Sequence, residues 1–345
     1  MRGSIWRDYV SFRSMIPERI LIIQTAFIGD AILATALLEA LHRQFPEARL
    51  DIAVRAGNES MFQGHPYLGQ VLIWNKKKHK FRNLLALIRT VRAEEYDLVV
   101  NLQRFFSTGL LTFLSGARQT VGFRKNPFSI TFTHRVPHRI GDGTHEVERN
   151  LALIAHLTDS QQTKPRLYPS EADFSEAEAS APYICMAPTS VWATKQWPAD
   201  RWVALIDTVP QTHTIYLLGA PSDRDACAAI IEASSRSGVI NRAGELSLLA
   251  SAALMRGAKM NYVNDSAPLH LASAVNAPVT AIFCSTVPAF GFGPLSDTSI
   301  IWQTPEDLDC RPCGLHGHRS CPRGHFRCAD IPIPPAYWPD PVGPL

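Results

Sequence analysis

Apolar positions recur along this chain in two alternating rhythms. Residues 19–24 form a short Ile-rich run, too short for a helix, and read as a buried strand. Directly after it, Ile32, Leu33, Ala36, Leu37, Ala40 and Leu41 recur at helical spacing. Strands are expected over residues 50–54, 71–74 and 97–102, and helices over 83–91 and 110–114. An amphipathic helix follows over 145–157, with Val147, Leu151, Ile154 and Ala155 on one face. Residues 163–181 break the rhythm with Pro165, Pro169 and an acidic Ser/Ala/Glu stretch, and read as a linker with a helical end. The alternation then restarts. Strands are expected over 183–187, 214–218, 260–264 and 279–283, and helices over 198–209, 222–235, 247–256 and 268–275.

Such alternation implies mostly parallel sheets covered by helices. The chain therefore reads as an α/β protein of two Rossmann-like halves, residues 1–165 and 166–345, facing across a cleft. Ligands of open α/β sheets bind beyond the carboxyl ends of the strands, so the loops after strands carry the candidate chemistry.

Length agrees with two halves: 345 residues at about 150 per domain. Lys+Arg total 34 against 31 Asp+Glu, a formal charge of +3, too small for bulk nucleic-acid affinity. The longest apolar stretch, residues 20–41, is interrupted by Gln24, Asp30 and Glu39 and does not suit a spanning helix. The first 19 residues hold Arg2, Arg7, Asp8, Arg13, Glu18 and Arg19 and no apolar core before a cleavage site, so no signal peptide and a cytoplasmic location are expected. Cysteines are then reduced or metal-bound. Cys185, Cys227 and Cys284 read as small buried hydrophobes. Six prolines between Pro332 and Pro344 predict an extended tail.

The loop after the first strand contains Gly29-Asp30 but neither G-x-G-x-x-G nor a Walker A sequence. Asp30 reads either as a first-turn helix acid or as a general base at the cleft edge. In the second half, Thr189, Ser190 and Lys195 lie between a strand and a helix start, where a lysine suits a phosphate. A solvated lysine is the alternative. Asp223 follows another strand, as a ribose acceptor or a helix cap. Asn264-Asp265-Ser266-Ala267 ends a strand and opens a helix whose free N–H groups favour an anion, with His270 one turn in.

Taken together, these pieces resemble glycosyltransferase family 9, the ADP-heptose:lipopolysaccharide heptosyltransferases, over about residues 18–330. The residues carrying the resemblance begin with Ile20-Leu21-Ile22 and Gly29-Asp30. Asp97-Leu98-Val99-Val100-Asn101-Leu102-Gln103, Val121-Gly122-Phe123 and His145-Glu146-Val147-Glu148-Arg149 follow. Thr194-Lys195-Gln196-Trp197-Pro198, Asn264-Asp265-Ser266 and His270-Leu271-Ala272 complete the ordered set, with heptosyltransferase II-like members as the nearest group.

The resemblance implies a GT-B fold and inverting heptose transfer from ADP-heptose, or a related nucleotide sugar, to the lipopolysaccharide inner core without a catalytic metal. It implies Asp30 as the base. Lys195, Ser266, Ala267, His270, Thr189 and Ser190 are implied at the donor diphosphate. Asp265 is implied at the sugar, Asp223 at the ribose and Leu246 over the adenine. It also implies work at the cytoplasmic face of the inner membrane, in peripheral contact, with no nucleic-acid partner. One departure stands out: the family has Gly after Asp-Ser, and this chain has Ala267. A positive φ there would cost Ala about 1 kcal/mol.

Two further clusters remain. Lys76, Lys77, Lys78 and Lys80 form the densest charge in the chain, read as a solvated loop or as the site meeting the anionic acceptor, with Arg124 and Lys125 joining it. Cys310, Cys313, Cys321 and Cys328 have a spacing that admits a structural zinc, with reduced thiols and disulfides as the competing readings. Other classes compatible with the chain are a glycosyltransferase with a different nucleotide sugar, a non-catalytic sugar-nucleotide binder and a zinc-dependent nucleic-acid binder.

Overall fold

The computed structural model describes residues 16–158, 163–180 and 182–334. The N-terminal arginines up to Arg13 and most of the proline-rich tail lie outside those residues. Two six-stranded parallel sheets form the frame. The first contains β1 (Arg19–Gln24), β2 (Arg49–Arg55), β3 (Leu68–Trp74), β4 (Leu98–Asn101), β5 (Gln119–Phe123) and β6 (His134–Val136), in the order β3-β2-β1-β4-β5-β6. The second contains β7 (Tyr183–Ala187), β8 (Thr214–Leu217), β9 (Val239–Asn241), β10 (Asn261–Asn264), β11 (Val279–Phe283) and β12 (Ser299–Gln303), in the order β12-β11-β10-β7-β8-β9. Both follow the doubly wound order, and together they make the expected GT-B arrangement.

Helices α1 (Ile28–Leu33), α2 (Thr35–Gln44), α3 (Lys80–Ala93), α4 (Phe106–Phe113), α5 (Glu146–Ala152) and α6 (Glu171–Glu176) precede the second sheet. Helices α7 (Ala199–Thr208), α8 (Arg224–Ala233), α9 (Leu248–Gly257) and α10 (Ala267–Ala274) belong with it. Central strands are apolar on both faces because helices cover both. Ile20 and Ile22 of β1 enter one core cluster, while Leu21 and Ile23 enter the cluster beneath α3 and α4. No described helix is long and apolar enough to cross a membrane. Cys185, Cys227 and Cys284 are fully buried among apolar side chains, and burial pushes their thiols up.

The central strands fall where the apolar runs place them. Strands β5, β6, β9 and β12 lie outside the expected set; β6 and β9 span three residues each, and β12 (SIIWQ) alternates exposed and half-buried residues despite its apolar run. The long first helix expected from periodicity is two helices meeting at Ala34. The linker is docked rather than free. Arg166 N donates to Thr35 Oγ1 at 2.8 Å, Tyr168 Oη to Glu39 at 2.7 Å, and Leu167 N to the Ala274 carbonyl at 3.1 Å. It therefore touches both halves.

Candidate active site

A helix from each ligand edge meets its counterpart. Helix α1, which follows β1, packs on α10, which follows β10. Gly29 makes this possible: a Cβ there would lie 2.7 Å from Cδ2 of His270. Beside the contact is a cavity of about 240 Å³. Asp30 lines it from one side; Ser190, Lys195, Asp265, Ser266, Ala267 and His270 line it from the other.

Asp30 sits in the first turn of α1, behind Phe27. Its surface is half-buried, and it lines the cavity between the halves. Burial raises its carboxyl above the ordinary value, and the facing Arg104 and Lys195 charges offset part of the rise. A carboxylate held this way is a stronger base than a solvated one.

Lys195 and Asp265 form a buried ion pair at 2.7 Å, and Thr286 Oγ1 donates to Asp265 at 2.6 Å. Asn264 locks the surrounding loops. Its Oδ1 accepts from Trp197 N at 3.1 Å, and its Nδ2 donates to the Pro188 carbonyl at 2.8 Å. Ser266 caps α10 with extended backbone and makes no side-chain cap bond, so its helix start presents N–H groups toward the cavity. Ala267 is not among the described positive-φ residues, so the strain anticipated for Ala in place of Gly does not arise. His270 is buried, and burial lowers its imidazole to about 4. It is thus neutral and supplies a ring N–H rather than a charge; its Nδ1 has no protein partner.

Not every expected donor residue lines this cavity. Asp223 caps its own loop, with Oδ2 accepting from Ala220 N at 2.8 Å. Gly244, at φ +75°, brings the loop after β9 against Pro221, and its N–H donates to the Gly219 carbonyl at 2.9 Å. Asp223 and Leu246 therefore lie on neighbouring loops beyond β8 and β9, two and three strands from β10. Thr189 borders Ser190 without lining the cavity.

The basic run divides. Lys76 folds back to donate to the Thr25 carbonyl at 2.6 Å and Thr25 Oγ1 at 3.0 Å, with its ammonium 4.5 Å from the Trp74 ring centre. Burial, with Arg55 and Lys80 nearby, lowers it to about 8. It is a strut of the loop preceding Asp30, which corrects its grouping with the solvated lysines. Lys77, Lys78 and Lys80 are exposed, as are Arg124 and Lys125. These two groups follow β3 and β5, four strand spacings or about 19 Å apart. They flank the same edge and do not form one patch.

The cysteine segment lies beside the Lys195 loop. Among the described residues, no three His, Cys, Asp or Glu side chains converge as a metal-ligand set. Cys313 donates to the Cys310 carbonyl at 3.1 Å, Cys310 Sγ is 3.8 Å from His325 Nε2, and Cys328 is buried. The four thiols nonetheless lie within electrostatic reach of one another: burial, then Cys313, Cys321 and Cys310, pushes the Cys328 thiol up to about 11. The segment buttresses the Lys195 loop. His318 N donates to Thr194 Oγ1 at 2.7 Å, Cys313 N donates to the Ser285 carbonyl at 2.8 Å, and His316 lines the cavity.

Several residues had no individual sequence signal. Arg104 faces Asp30 but is one arginine among many. Helix α5 clamps the opposite half: Glu146 N donates to the Gly291 carbonyl at 2.8 Å, His145 Nε2 lies 3.1 Å from the Gly293 carbonyl, and Arg149 donates to the Phe290 carbonyl at 2.8 Å. Arg149 also pairs with Glu146 at 2.8 Å. The His145–Arg149 motif marked the place but not this role.

Comparison with known proteins identifies the family and the fold. The sequence profile of glycosyltransferase family 9 (heptosyltransferase) matches residues 84–318. Lipopolysaccharide heptosyltransferase 3 of Escherichia coli (strain K12) is 30% identical over 278 residues, 75% of this chain and 80% of the relative. Lipopolysaccharide heptosyltransferase 1 of Pseudomonas aeruginosa is 25% identical over 320 residues, 86% of each chain. The structure of E. coli ADP-heptose lps heptosyltransferase II superposes with a TM-score of 0.72 at 23% identity, covering 86% of this chain and 95% of that one. At that identity the superposition speaks for the fold.

Proposed function

Because this chain belongs to glycosyltransferase family 9, we propose that it transfers a heptose from ADP-heptose to the inner core of lipopolysaccharide at the cytoplasmic face of the inner membrane. The first half binds the acceptor and the second half the donor, with no nucleic-acid partner. The observation that carries this reading is the pairing of Asp30 and Lys195 on opposite walls of one cavity.

The reaction follows from that placement. The acceptor hydroxyl oxygen attacks the anomeric carbon from the Asp30 side, and its proton passes to the Asp30 carboxylate. The bond from the anomeric carbon to the diphosphate oxygen breaks on the opposite face, so the configuration inverts. ADP leaves carrying the electron pair. Lys195 and the N–H groups of α10 meet that growing charge, which makes a catalytic metal unnecessary. Ser266, Ala267, His270, Ser190 and Thr189 surround the diphosphate, and Asp265, fixed by Thr286, accepts from the sugar hydroxyls. The nucleoside runs along the strand ends from β10 toward β8 and β9, to Asp223 and Leu246. The contact between Gly29 and His270 aligns the halves, and a reactive geometry held in this way supplies much of the rate.

The test is a screen of ADP-heptose against other nucleotide sugars, in EDTA, with a lipid A inner-core acceptor and the anomeric configuration of the product read by NMR. Turnover with ADP-heptose and inversion are expected. Turnover only with a different nucleotide sugar, retention of configuration, or activity lost in EDTA and restored by a metal would overturn the respective parts.

A further inference from the structure

Residues 76–141 carry 13 Lys+Arg and three acids, while the whole chain is nearly balanced at 34 against 31. The three acids, Glu94, Glu95 and Asp97, sit at the amino edge of the first sheet, where Asp97 holds the start of β1 through Glu18 N and Arg19 N. Within this segment the carboxyl-edge loops and the outer side of α3 and α4 therefore carry positive charge without acids, the nearest being Asp142 beside Arg124, Lys125 and Arg139.

The same region exposes large apolar side chains. Phe81 and Leu85 on α3, Phe105 and Phe106 at the start of α4, Phe113 at its end, and Ile130 are each more than half exposed, from 52% at Phe113 to 81% at Ile130. Helices α3 and α4 pack together and share one core cluster, so these residues ride on one side of the sheet. The patch is rigid. Buried Asn126 donates to the carbonyls of Gln103 and Phe105 at 2.9 and 3.2 Å and accepts from Phe128 N at 2.9 Å. The Phe128 ring then meets Phe106 at 5.0 Å and Phe113 at 5.9 Å. A monomeric protein in water rarely groups exposed aromatics in this way.

We propose that this face docks on an anionic lipid bilayer, with Phe81, Leu85, Phe105, Phe106, Phe113 and Ile130 entering the headgroup region and the surrounding Lys and Arg meeting lipid phosphates. This deepens the proposed function and rests on its reading of a membrane-anchored acceptor. The placement suits that acceptor. Phe105 directly follows Arg104, which faces Asp30, so a glycolipid standing in the bilayer presents its head to the base while its chains stay in the membrane.

The test is co-sedimentation of the full chain with vesicles of phosphatidylcholine alone or with 30 mol% phosphatidylglycerol, without acceptor or donor. Binding to the anionic vesicles, weakened by 0.5 M NaCl, is expected. Phe106→Ser/Ile130→Ser should weaken it at least tenfold with an unchanged circular dichroism spectrum, and the same variant should keep its rate on a deacylated, water-soluble acceptor. Equal binding by wild type and variant, or no binding to anionic vesicles, would overturn the proposal. So would a concentration-dependent dimer that the variant abolishes, since the patch would then join two copies. Vesicle binding without sugar transfer would leave this proposal standing and remove the enzymatic reading; transfer without vesicle binding would do the reverse.

Discussion

Gly29 and His270 touch across the two halves, at a distance that excludes a side chain on the glycine. A Cβ on Gly29 would come within 2.7 Å of the imidazole, closer than real Cβ contacts allow. His270 is packed in α10 and cannot swing away, so α1 would have to move. Gly29→Ala should therefore fold normally and lose about 10²-fold in kcat, because small misplacements of reacting groups cost that much. Steady-state kinetics beside a melting curve checks it; an unchanged kcat would mean the halves align by other contacts.

Asp30 should govern both rate and pH dependence. Asp30→Asn should lower kcat by about 10²–10⁴-fold, the range for losing a general base, with donor KM little changed. The acidic limb of the kcat/KM profile should lie above the ordinary carboxylate range, since burial raises this carboxyl. The raised value means the folded protein prefers the protonated form. Stability from this group is present at low pH and lost as pH rises through the raised pKa. Asn removes that penalty, so the Tm of the variant at neutral pH should equal or exceed that of wild type. A lower Tm there would show the carboxylate to be structurally favourable.

Lys195→Ala should separate binding from folding. It strands buried Asp265 with Thr286 as a remaining partner, which costs about 3 kcal/mol for a broken buried pair. Lys195→Ala/Asp265→Asn should recover most of that stability in urea titrations yet remain inactive, with leaving-group stabilisation gone. Recovered activity would exclude Lys195 from the diphosphate.

The basic run should behave as two parts. Lys77→Gln/Lys78→Gln/Lys80→Gln should raise acceptor KM far more than donor KM, and the difference should shrink in high salt, where exposed charges are screened. Lys76→Ala should instead lower kcat, since it releases the Thr25 carbonyl five residues before Asp30. Equal effects on both substrates from the triple variant would place those lysines outside acceptor binding.

Much of the site was legible because its chemistry sits where local sequence changes character. A buried strand breaks at Gln24 and a helix begins with Asp30 in its first turn; β10 breaks at Asn264 and α10 begins at Ala267. Lys195 stands out as a lone cation before a helix. Arg104, Thr286 and His316 were not legible, since each acts only through a residue of another segment, 74 positions away for Arg104 and Asp30 and 21 for Thr286 and Asp265, and nothing in its own surroundings marks it. Asn264 was visible as a strand end but not as the bond between two loops.

The sequence by itself determined the two parallel sheets, since apolar runs of strand length alternating with amphipathic helices can bury themselves only in that way. It also pointed to the loops after β1, β7 and β10, which line the cavity. Tertiary structure alone decided that Lys76 is a strut and Lys77 a free charge, that the segment around His318 and Cys313 braces the Lys195 loop, and that α5 clamps the other half. Those roles depend on distances between segments far apart in the chain, and periodicity reports only which face of an element is buried, not what it meets.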